Sequence, residues 1–197
     1  MDEKRKRSLR RRYMKDYELQ TELSDDGREV KVARYIGNLF DTNLDTEGLL
    51  ALRRRCLVLS LGAAAAALAA LSLRHGAMTS FLAILPLALA MFPLLYGCLG
   101  SFRLPREAKG LRSDEVEYSF ERVRHSAPAI AVLGAAAALG ALIYHLFLRE
   151  SPAFGWSDGA FLLCCLGVSA CGVLLWRRVR RVRLTERPRK ANWAETE

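Results

Sequence analysis

The chain has 197 residues, 51% of them hydrophobic, and a formal charge of +9. Four runs free of Asp, Glu, Lys and Arg (56–73, 77–102, 127–148 and 159–176) take up so much of it that no soluble catalytic domain fits in the remainder. The charge is a topology signal and not a nucleic-acid footprint: 28 of the 30 Lys and Arg lie in residues 1–55, between the second and third runs, or after the fourth, leaving only Arg74 and Arg149 in the other two loops.

Each run has about the length a helix needs to cross a hydrocarbon core roughly 30 Å thick. The expected fold is therefore an all-α membrane protein of four transmembrane helices. Short loops rich in Lys and Arg stay in the cytoplasm, so both termini and the central loop are expected inside. The first run follows a long charged segment and reads as a retained anchor, not a cleaved leader. The expected location is the plasma membrane.

Residues 1–55 form a cytoplasmic segment in three parts. Residues 2–15 carry eight basic side chains, a tether suited to anionic lipid at about 1 kcal/mol per basic residue near the surface. Residues 17–36 alternate apolar and polar positions about Asp26-Gly27, a strong hairpin signal because both turn positions need positive φ. A two-residue turn would set Leu23 opposite Val30, Thr21 opposite Val32 and Tyr17 opposite Ile36, with Glu22 against Lys31. An isolated hairpin is marginal in water. Tyr17, Leu19, Leu23, Val30, Val32 and Ile36 are accordingly the expected docking residues for a partner, and Leu23→Asp or Val30→Asp should abolish association without affecting insertion. Residues 46–55 read as an amphipathic helix capped by Asp45 or Thr46.

Small residues recur every four positions in the first run (Gly62, Ala66, Ala70), the third (Gly134 with Ala138, Ala136 with Gly140) and the fourth (Gly167 with Cys171, Val168 with Gly172). This spacing suits close helix packing within a bundle, or between copies. The second run carries Pro86 and Pro93 on nearly one face, where they could kink the helix or line a cavity. In residues 103–126 a second amphipathic helix is expected over 113–125, with Ser113 as N-cap and Val116, Phe120 and Val123 on one face, ending where the chain turns inward at Ala127-Pro128. Leu61-Gly62-Ala63 and Leu133-Gly134-Ala135 hint at a duplicated helix pair. Residues 177–197 are a basic tail.

Chemistry-bearing motifs are missing from the sequence: it has no HExxH, GxSxG or Walker A pattern and no zinc-spaced cysteines. Cys56, Cys98, Cys164, Cys165 and Cys171 all lie in or at the ends of runs and read as small apolar residues. His75 and His145 fall near one level and could in principle clamp a haem or metal, but their depth fits the wet interface beside Arg74 and Arg149. Tyr96, Tyr144, Trp156 and Trp176 read as interfacial anchors. No cofactor, metal or catalytic residue is expected.

The hairpin closing on Tyr35-Ile36-Gly37, the capped approach to the first run and the stretch Ser113, Tyr118-Ser119, Arg122, Arg124-His125-Ser126 resemble a group of small four-span membrane proteins of Gram-positive bacteria. The resemblance covers most of residues 13–185. It implies a bacterial plasma-membrane location and carries over no activity and no functional residue. Together these features point to a non-enzymatic accessory or scaffold subunit that docks a membrane-protein partner, or a second copy, through its cytoplasmic elements. The alternative is a small, dimeric transporter or channel for a neutral or apolar solute, its path lined by the Pro86/Pro93 helix.

Overall fold

A computed structural model describes residues 17–23, 29–73, 80–148 and 155–187. The basic arm, the Asp26-Gly27 turn, both short loops with His75 and Arg149, and the end of the tail lie outside the described residues.

Four helices long and apolar enough to cross a membrane make the body. Helix α1 (Thr46–Ser72) starts at Asp45, whose carboxylate accepts the Gly48 amide at 3.0 Å. The expected short helix 46–55 and first span 56–73 are thus one helix. Between Leu49 and Cys56 there is only Leu, Ala and Arg, all good helix formers, so nothing in the chain interrupts it. Helix α2 (Phe81–Phe102) runs unbroken through Pro86 and Pro93. Helix α4 (Trp156–Arg180) extends the apolar run at both ends.

The central segment departs from expectation. Instead of an amphipathic helix 113–125 that stops before Pro128, helical backbone continues from Ser113 to the end of the third run as α3. It comprises Ser113–Val116, a wide π turn Glu117–Glu121, Arg122–Ile143 and a closing π turn Tyr144–Leu148. Pro128 removes one backbone donor. Packing on both sides outweighs that loss, because α3 makes its extensive contacts with α2 and with α4.

The helices close a ring, α1 beside α2 and α4, α3 beside α2 and α4, with α1 and α3 on one diagonal. Small residues fill the seams. A Cβ on Gly134 would lie 2.8 Å from the Ser169 amide nitrogen, and one on Gly172 would lie 2.6 Å from that of Ala131. A Cβ on Gly140 would run into the Leu82 carbonyl. Backbone approach of this kind is how helices associate where lipid supplies no hydrophobic drive. On α1 the buried stripe is Ala63, Ala67 and Ala70; of the expected set Ala70 is buried, Ala66 is half-buried against the core, and Gly62 is exposed with nothing near it. Gly62 and Gly134 therefore occupy different environments, and the two Leu-Gly-Ala motifs are not structurally equivalent.

One end of the ring is covered by a three-stranded antiparallel sheet, ordered β4–β3–β5: β3 (Leu39–Thr42), β4 (Leu111–Arg112) and β5 (Leu184–Arg187). Strands β1 (Tyr17–Leu23) and β2 (Glu29–Tyr35) pair antiparallel beside it. Their register is one residue off the two-residue-turn expectation: Leu23 pairs with Glu29, Glu22 with Val30, Gln20 with Val32 and Tyr17 with Tyr35. Five residues, 24–28, connect the strands, and connection length fixes register.

Candidate docking surface

Residues far apart in the chain meet on β3. Phe40 pairs with Leu111 on one side and with Glu186 on the other, and Thr42 pairs with Leu184. Side chains and backbone reinforce the junction. Thr42 donates its amide (2.9 Å) and its hydroxyl (3.0 Å) to the Ala108 carbonyl. The Gly110 amide donates to Asp41 Oδ1 at 2.9 Å, and Gly110 itself has φ +73°, the left-handed conformation that a residue with a Cβ rarely adopts. Asn43 donates its amide to the Arg183 carbonyl and accepts the Arg183 amide at its side-chain oxygen. Below the sheet, Leu49, Leu104, Leu111, Val123 and Leu175 are buried in one apolar cluster, so sheet and helix ends share a core.

The paired strands are fastened to this sheet through Tyr35. Its ring is buried, its hydroxyl donates to the Asn38 carbonyl at 3.0 Å and accepts the Ser113 amide at 3.1 Å, and the Arg112 guanidinium lies 5.7 Å from its centroid. Tyr17 stacks edge-on against it at 5.2 Å. Ile36, the next residue, is exposed.

Of the six expected docking residues, Tyr17 pairs with Tyr35, Leu19 with Ala33, Leu23 with Glu29, Val30 with Glu22 and Val32 with Gln20, and Ile36 follows the end of β2.

Beside β4 a cavity of about 480 Å³ opens between Arg106, Glu107, Lys109, Arg112 and Glu115. Below it, Arg122 stacks over both Tyr118 (4.6 Å) and Tyr96 (5.0 Å). Tyr96, expected as an interfacial anchor, thus holds a cation. Pro86 and Pro93 are both half-buried and line neither this cavity nor the cleft between α1 and α4. All five cysteines are free. Among the described residues no group of His, Cys, Asp and Glu could hold a metal ion.

At the opposite end of the ring lies a polar pair that sequence reading missed. His145 Nε2 is 3.4 Å from Asp158 Oδ1, with the two side chains 9% and 3% exposed. Asp158 Oδ2 accepts the Gly155 amide at 3.1 Å, a capping arrangement at the start of α4. The acid escaped notice because it sits one residue before the fourth apolar run. The signal that finds it is positional, an acid at the third position of a helix whose preceding Gly needs its amide satisfied.

No family of proteins matches the chain, and no curated protein or solved structure matches it either.

Proposed function

We propose that the chain is a non-enzymatic accessory subunit whose four helices hold a polar platform at the membrane boundary for a membrane-protein partner. The observation that carries this reading is the β4–β3–β5 sheet, which ties the segment before α1, the loop after α2 and the segment after α4 into one surface sharing a core with the helix ends. A bundle that served only as a permeation path would have no need to knit three loops together by backbone pairing. Both described cavities open at this end, and the platform's surface mixes cations and carboxylates around the concavity beside β4.

Within β1 and β2 the aromatic pair and the remaining positions take different parts. Tyr17 packs against Tyr35, which fastens the strands to the platform, and Leu19, Leu23, Val30, Val32 and the exposed Ile36 are the positions we assign to the partner. A photo-crosslinking residue at Ile36, in native membranes, is expected to capture a second protein. The same residue at Leu146, exposed at the far end of α3, is expected to capture none. Equal capture from both positions, or none from Ile36, removes the platform from the account.

A further inference from the structure

The cleft between α1 and α4 has a chemistry of its own. It encloses about 320 Å³ and is lined by Arg54, Arg55, Val58, Leu59 and Arg178. Three arginines from two helices thus line it together with two aliphatic side chains, at the level where the first apolar run begins and the fourth ends. No carboxylate lines the cleft, and among the described residues none of the three arginines makes an ion pair. Arg53, by contrast, is turned to the far side, where it donates to the Phe102 carbonyl at 3.2 Å. Val58 is 64% exposed on the surface that faces hydrocarbon when the helix spans a bilayer.

We propose that this cleft is a binding site for one anionic phospholipid, its phosphate held by Arg54, Arg55 and Arg178 and the start of an acyl chain lying along Val58 and Leu59. The charge arrangement selects the occupant. Arginine presents a fork of donors matched to phosphate oxygens, and a soluble anion would gain nothing from the aliphatic wall. The opening at the bilayer boundary leaves the rest of the acyl chain in the membrane. The single negative charge of such a lipid would also offset part of the repulsion among these three cations.

The test is native mass spectrometry of the full chain in detergent, titrated with short-chain phosphatidylglycerol, with phosphatidylcholine of the same chain length, and with inorganic phosphate as competitor. One bound phosphatidylglycerol is expected, with phosphatidylcholine and phosphate both ineffective. Near a membrane each basic residue is worth roughly a fivefold factor in affinity, so Arg54→Gln, Arg55→Gln and Arg178→Gln together should weaken binding on the order of a hundredfold. Arg106→Gln with Lys109→Gln, outside the cleft, should leave it unchanged. The exposed single variant Arg54→Gln serves if the triple variant does not fold. Undiminished binding by the cleft variants, equal loss in the loop variant, or full competition by inorganic phosphate would each overturn the proposal.

Discussion

Gly134 and Gly172 decide how close α3 and α4 come, since each faces backbone of the opposite helix at a distance no Cβ could occupy. Gly134→Leu or Gly172→Leu is expected to cost about 3 kcal/mol or to prevent folding, because the backbone, unlike a flexible side chain, cannot yield. Gly62→Leu, with nothing within 4 Å, should leave stability in detergent within about 0.5 kcal/mol of the parent. Equal losses at Gly62 and Gly134 would mean that the seams are wrongly assigned. At the other end of the ring, Asp158→Ala removes a cap bond and leaves the His145 imidazole without its acid, an expected loss of about 2 kcal/mol. Thermal unfolding of the purified protein reads both effects. The glycine spacing was visible in the sequence. Which glycines face inward was not, because a stripe of Ala and Gly looks alike on either side of a helix: Gly134 is buried and Gly62 is exposed.

Elements were legible in proportion to how local their causes are. The four apolar runs, the Asp45 cap and the alternation in residues 17–36 depend on neighbours in the chain, and each corresponds to a helix, a cap bond or a strand here. Strands β3, β4 and β5 depend on partners about 70 to 150 residues away. With two to four residues apiece they carry no period to detect. Pro128 marked a helix end on local grounds, and contacts with both neighbouring helices overrode it. The hairpin register turned on connection length, which the Asp-Gly pair alone does not determine. Tyr35 offers the test at this scale. Tyr35→Phe removes two hydrogen bonds, to the Asn38 carbonyl and from the Ser113 amide, each worth about 1 kcal/mol. Amide exchange in β1 and β2 should quicken severalfold or more, with exchange in α1 to α4 unchanged. Unchanged exchange in β1 and β2 would mean that Tyr35 does not hold them to the platform.

For the whole molecule, the sheet imposes a strict topological condition. Because β3, β4 and β5 pair with one another, the segments before α1, between α2 and α3, and after α4 must lie on the same side of any membrane the helices cross. The partition of 28 basic residues against two makes the same demand from an independent direction. With the native cysteines replaced, single reporter cysteines at Asn38, Lys109 and Glu186 should be modified from one side of the membrane and one at Trp156 from the other. Modification of the Lys109 reporter from the side opposite Asn38 would break both lines of reasoning together. The central claim, that this end is a platform for a partner, is tested most directly by affinity purification from native membranes in a mild detergent. We predict a stoichiometric second membrane protein with the parent chain, lost when Val32→Asp and Ile36→Asp are combined in a variant that still inserts. Recovery of the chain alone or only as a homo-oligomer, or a second protein retained by the variant, would contradict the account.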